Sequence, residues 1–205
     1  MANFVHEGDL PDGVFAGASI IAIDSETMGL RLGRDPLCVV QLSSGDGDAH
    51  VVRLSRPGYD CPNLKALLTD PGILKLFHFG RFDIAMFELH LGVVTAPVYC
   101  TKIASKLART YTDRHGLKDV TRELLGVELS KVQQSSDWGA PSLSPEQVAY
   151  AASDVLHLHA LRDKLNIMLQ REGRMAHAQA AFDYLPHRAS LDLAGWEEMD
   201  IFAHT

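Results

Sequence analysis

Residues 18–24, ASIIAID, decide the fold. The run is short, rich in isoleucine and apolar at neighbouring as well as alternate positions. That pattern belongs to a central strand covered on both faces. Downstream, CVVQL (38–42) and AHVVRL (49–54) flank the Gly/Asp-rich stretch SSGDGD, which reads as an antiparallel hairpin. The first 54 residues therefore predict three consecutive strands. Beyond a Pro/Gly/Asp-rich loop (55–63), NLKALL reads as a short helix and ILKLFHF (73–79) as another buried strand. RFDIAMFELHLG (81–92) is predicted helical and stopped by Gly92, and VYCT (98–101) is a short strand. Residues 102–110 are predicted to form a helix with Lys102, Lys106 and Arg109 on one face. Residues 116–125 form another, ending at Gly126. The best-marked helix starts at 145. Ser144 is its N-cap, Pro145 fits the first turn, Glu146 sits at the positive dipole end and Gln147 completes a capping box. Its apolar pattern carries it to about 172–173. A mixed α/β architecture follows, a mixed β-sheet flanked by helices with the strands coming first.

The chain has 205 residues, 46% hydrophobic and 22% charged, which predicts one domain over 1–205. This composition excludes a disordered polypeptide. No apolar run approaches the ~20 residues of a membrane span, and MANFVHEGDLPDG has no secretory pattern. Cys38, Cys61 and Cys100 are an odd number without paired spacing, so buried thiols in a reducing cytoplasm are expected. The tail, about 174–205, contains a further helical stretch and then AGWEEMDIFAHT. Its Leu191, Leu193, Trp196, Ile201 and Phe202 need a surface to pack on, either this core or a neighbouring subunit.

The net charge is −7, which on its face argues against a nucleic-acid binder. The charge is unevenly spread. Residues 100–135 carry seven bases (Lys102, Lys106, Arg109, Arg114, Lys118, Arg122, Lys131) against four acids, and are net +3. Such a segment suits a phosphate-bearing substrate, or it is an ordinary solvated face.

Asp24 and Glu26 close the first predicted strand, and residues i and i+2 point the same way. Two aligned carboxylates repel unless a cation lies between them. Asp83 stands in the first turn of the 81–92 helix, where the dipole favours an anion. Tyr150 and Asp154 are four apart and share a helix face among small alanines. An acid there needs a partner, either a cation or the tyrosine hydroxyl. Four carboxylates from three elements would suit two hard divalent cations, which take oxygen ligands and can clamp an in-line phosphoryl displacement. His78, in the buried strand, reads as a ligand or as a satisfied core histidine. His157 and His159 are two apart on a helix and face apart, which disfavours zinc. Trp138 reads as core packing.

The set Asp24, Glu26, Asp83, Tyr150 and Asp154 resembles the DEDDy 3′–5′ exonuclease signature: Asp-x-Glu after a strand, a second Asp after a later strand, and Tyr-x-x-x-Asp on a helix. HGLKDVTRELLGVELSKVQQSSDWG (115–139) and LSPEQVAYAASDVLHLHAL (143–161) resemble the ribonuclease D branch, and the likeness spans nearly the whole chain. HFGRFDIAM, CTKIASKLARTYTDRHGLKD and WEEMDIFAH are similar to the nanoRNase C group within it. The sibling class with His in place of Tyr fits poorly, since none of Ala149, Ala151, Ala152 or Ser153 is His. Ribonuclease D proper has extra C-terminal helical domains, for which this chain is too short.

The resemblance implies a ribonuclease H-like 3′–5′ exonuclease fold. It implies that Asp24, Glu26, Asp83 and Asp154 hold two Mg²⁺ or Mn²⁺ ions and that Tyr150 orients the attacking water. It further implies very short RNA, down to dinucleotides, as substrate, 5′-mononucleotides as products, and a ring-like homo-octamer. DNA ends, or 3′ tails of longer structured RNA, are the alternative substrates. A non-catalytic nucleic-acid-binding module is the remaining alternative, and the intact five-residue set speaks against it. Candidate substrate contacts are His78, Lys102, Arg109, Arg114, His115, Lys118 and Gln134.

Overall fold

The computed structural model describes residues 2–130 and 132–204; Lys131, counted above in the basic segment, lies outside the described residues. Six strands form one sheet: β1 (Asn3–Glu7), β2 (Ile20–Thr27), β3 (Leu37–Ser43), β4 (Ala49–Arg53), β5 (Leu74–Phe77) and β6 (Val98–Cys100). Their order is β1-β4-β3-β2-β5-β6. Only β3 runs against the others: its pairings with β2 and β4 are antiparallel, and the remaining pairings are parallel. The helices are α1 (Pro62–Thr69), α2 (Arg81–Leu91), α3 (Thr101–Ala108), α4 (Leu117–Leu125), α5 (Pro145–Leu156), α6 (Leu158–Arg171) and α7 (Met175–Leu191), followed by a turn at Asp192–Trp196 that is kinked at Gly195. Ile21, Ala22 and Ile23 of β2 are fully buried, so both faces of that strand are covered, and all of β3 is buried.

Local chemistry explains the element ends. Gly92 and Gly126 adopt left-handed φ of 71° and stop α2 and α4. Ser144 and Gln147 form the expected capping box on α5. β1 was not anticipated, because it is an edge strand with Phe4 and Val5 largely exposed and no buried apolar run. The strand read over 73–79 is shorter because Phe79 takes a left-handed φ of 69° and Gly80 lies against Phe77. A non-glycine residue in that region costs roughly 1–3 kcal/mol and is held by its surroundings. The helix expected from 145 to about 172 breaks at His157, whose φ of −105° and ψ of −6° leave the α-helical range. Neither Gly nor Pro marks that break, and the apolar periodicity runs through it.

One helix-layer finding corrects the expectations. The helix over 102–110 ends at Ala108, and Arg109 becomes its C-cap with φ −107°. Arg109 therefore leaves the face shared by Lys102 and Lys106 and turns inward, where it is 0% exposed. The tail forms α7, which touches α2, α3, α6 and β6. Trp196, Met199, Ile201 and Phe202 remain exposed beyond it. Trp138 is buried with Cys38, Val39, Val51 and Ala151. Among the described residues, no helix is long and apolar enough to cross a membrane.

Candidate active site

β2 delivers the first two carboxylates. Asp24 and Glu26 emerge on one face of the strand, just before an irregularity in its pairing with β3 at Glu26/Thr27. Gln41 lies opposite Asp24 in the register and donates its side-chain amide to Asp24 Oδ2 at 2.7 Å. Gln41 is 0% exposed, and its own Oε1 has no protein partner. α5 delivers Tyr150 and Asp154 from one face, with the tyrosine hydroxyl close enough to the Asp154 carboxylate to influence its titration. The Tyr150 ring packs on Trp138, with centroids 6.0 Å apart.

One oxygen each from Asp24, Glu26 and Asp154 falls within 4.8 Å of the others. Asp83, buried in the first turn of α2, stands beside this trio and not inside it. It accepts a hydrogen bond from the Ser25 hydroxyl at 2.6 Å. All four acids are pushed above the ordinary carboxylate range, chiefly by burial. Mutual repulsion adds to the shift at Asp24, Glu26 and Asp154. Glu26 reaches about 9, Asp154 about 7 and Asp83 about 6. Burial and the same carboxylates also push the Tyr150 phenol up, so it keeps its proton at neutral pH. Oxygen donors without His or Cys, half-buried and mutually repelling, fit a hard divalent cation such as Mg²⁺.

The candidate substrate contacts separate into inward and outward groups. The His78 Nδ1 lies 2.8 Å from Thr101 Oγ1, and that hydroxyl donates to Phe77 O, so His78 is the donor. Burial and nearby Lys102 lower its pKa to about 3. It is therefore neutral, close to the core-histidine reading, although its Nε2 is buried without a partner. Arg109 is committed internally, to Glu123, to Ser105 Oγ at 2.9 Å and to the Arg114 carbonyl at 2.7 Å. Four of its five N–H donors are taken and the side chain is 0% exposed, so it cannot present a fork to a phosphate, which argues against its assignment as a backbone contact. His115 is half-buried against Ser105 Oγ at 2.9 Å. Arg114 and Gln134 are exposed, and Lys118 is half-exposed. Lys102 places its ammonium 4.1 Å from the centre of the Phe79 ring. The two border a hollow of about 290 Å³ between α3 and α7.

Ser25 and Gln41 are supporting residues that the sequence reading passed over. Gln41 did carry a signal, a lone amide in the otherwise apolar CVVQL. Ser25 carried none beyond its place between two acids.

Residues 14–170 match the 3′–5′ exonuclease family model. Brucella melitensis NrnC is 54% identical over the full length of both chains, with a TM-score of 0.97. A nuclease solved in its apo form is 60% identical over 98% of each chain, with a TM-score of 0.96. Ribonuclease D of Acidiphilium cryptum is 37% identical over 160 residues, which is 78% of this chain and 40% of that protein. The chain thus spans about two fifths of the length of the curated relatives it first matches. With an acid cluster at the end of β2, an acid on α2 and a Tyr–Asp pair on α5, the chain belongs to the 3′–5′ exonuclease family and is similar to ribonuclease D and NrnC within it.

Proposed function

We propose that the protein removes 5′-mononucleotides from the 3′ end of very short RNA, down to dinucleotides. The observation that carries this reading is the convergence of Asp24, Glu26 and Asp154 within 4.8 Å beside a protonated Tyr150. Its substrate class is supported by Brucella melitensis NrnC, which has been solved with bound Mg²⁺ at 52% identity and bound to pGG at 53%.

Asp24, Glu26, Asp83 and Asp154 would hold two ions, Mg²⁺ or Mn²⁺. When bound, these supply charge stabilisation to the attacking and leaving oxygens of an in-line displacement. Tyr150 orients the water through its hydroxyl, which burial keeps from ionising. The water oxygen attacks phosphorus and gives up a proton to solvent, the P–O3′ bond breaks, and the departing 3′ oxygen takes a proton from solvent. Lys102, Arg114 and Lys118 are the cations available to the RNA backbone, with His78, His115 and Gln134 as neutral neighbours.

The protein is further proposed to be a single exonuclease domain over 1–205 that works in the cytoplasm, where the buried free thiols of Cys38, Cys61 and Cys100 persist. It is proposed to assemble as a homo-oligomer, an octamer on the family resemblance, through the exposed Trp196, Met199, Ile201 and Phe202. Sedimentation is expected to return a multiple of the single-chain mass; a monomer would remove the assembly.

The substrate test uses a 5′-labelled RNA dinucleotide and a 7-mer, each with catalytic amounts of protein and Mg²⁺ or Mn²⁺. The dinucleotide is expected to vanish quickly, and dinucleotides from the 7-mer to accumulate little. Stepwise shortening of the 7-mer with a persistent dinucleotide would move the substrate to longer RNA or DNA. Binding without cleavage of either would leave a non-catalytic module.

A further inference from the structure

The start of α2 carries Asp83 and lacks the usual support. Gly80, its N-cap, offers no side-chain bond to the free backbone N–H groups, and Phe79 before it is left-handed. Two side chains hold this turn from elsewhere in the chain. Ser25 bonds Asp83 itself. Arg81, two residues earlier, is gripped from the tail 111 residues away: its Nε donates to Asp192 Oδ2 at 2.6 Å and its Nη2 to Asp192 Oδ1 at 2.7 Å. The Arg81 Nη2 also donates to the Glu197 carbonyl at 2.7 Å.

Asp192 is only 7% exposed and follows directly on α7, opening a turn that Gly195 kinks with a left-handed φ of 89°. Arg188 gives it a second ion pair at 3.0 Å and ties the same turn through the Trp196 and Glu197 carbonyls. A two-pronged guanidinium–carboxylate pair fixes orientation as well as distance. We propose that Asp192 is a positioning residue that acts through Arg81 to hold the first turn of α2, and with it Asp83, in the geometry required for metal binding. This rests on the reading of Asp83 as a metal ligand. The tail thereby sets the affinity of a site that none of its residues touches.

The test titrates Mn²⁺ alone into metal-free full-length protein and reads bound ion by electron paramagnetic resonance. Asp192→Asn keeps the shape and removes the charge. Arg81→Lys keeps the charge and loses the fork, and serves if the first variant does not fold. Ser190→Ala is the control. It breaks the other α2–α7 bond, from Ser190 Oγ to Glu88 Oε2 at 2.6 Å, near the far end of α2. Asp192→Asn and Arg81→Lys are expected to weaken Mn²⁺ binding by about 10-fold, the scale of losing a supporting partner in a metal site. Turnover should recover at saturating Mn²⁺, and Ser190→Ala should bind like wild type. Wild-type affinity in both test variants, or an equal loss in Ser190→Ala, would overturn the inference. A wild-type protein that binds no Mn²⁺ would overturn the metal reading itself and the inference with it.

Discussion

Asp24→Asn is expected to lower turnover by about 10³-fold or more while raising the melting temperature of the metal-free protein. The two effects have one origin. Asp24 is buried among Glu26, Asp83 and Asp154, all of which raise its pKa by repulsion. At alkaline pH, where the cluster is ionised, removing its charge relieves the other three, and the asparagine oxygen still accepts from Gln41, which now donates to Asp24 Oδ2. The same change deletes an anionic metal ligand. Several kcal/mol of transition-state stabilisation depend on such a site, and each 1.4 kcal/mol is a factor of ten in rate. Each kcal/mol of relieved repulsion raises the melting temperature by roughly 2–4 °C for a chain of this size. Single-turnover kinetics and calorimetry on one preparation decide it. A variant that loses both activity and stability would show that Asp24 supports the fold rather than burdening it.

The second large effect is on pH. In the metal-free protein the carboxyls hold their protons more tightly when folded than when unfolded. The folded state therefore binds more protons between about pH 4, where free carboxyls titrate, and the raised values of about 6 for Asp83, 7 for Asp154 and 9 for Glu26. Stability must fall as pH rises through that window, because its slope follows protons bound unfolded minus folded. The contribution is fully present below about pH 4 and lost by about pH 9. Mg²⁺ binds the ionised form and opposes the trend. At a hundred times its dissociation constant it adds about 2.7 kcal/mol per site, or roughly 5–10 °C at pH 8. Melting curves from pH 5 to 9, with Mg²⁺ and with a chelator, should diverge steadily towards high pH. A metal-free curve flat over that range would contradict the buried acid cluster.

Much of this site is legible in the sequence alone. Asp24 and Glu26 follow from two facts of strand geometry, an apolar run that must be central and a period of two. Tyr150 and Asp154 follow from helical spacing behind a well-marked N-cap. Arg109 was not legible, since whether a helix ends at 108 or 110 decides whether its guanidinium meets solvent or Glu123, and no residue there marks the end. Asp192 was hidden for another reason. Its partner Arg81 is 111 residues distant, and pairing over that separation is settled by the packing of α7 on α2, not by any local pattern. Phe79 shows the same limit: its left-handed backbone is imposed by the approach of Gly80 to Phe77.

The break at His157 has a consequence for redesign. α5, with Tyr150 and Asp154, rests mainly on β1, β2, β3 and β4, whereas α6 rests mainly on α3, α4, α7 and β5. Had 145–172 been one rod, any tilt demanded by the helices around α6 would have swung the Tyr–Asp pair across the sheet. The joint lets each half seat independently. It is also a poor place for added residues, because Val155 and Leu158 on either side of it are fully buried and an insertion would unseat one half.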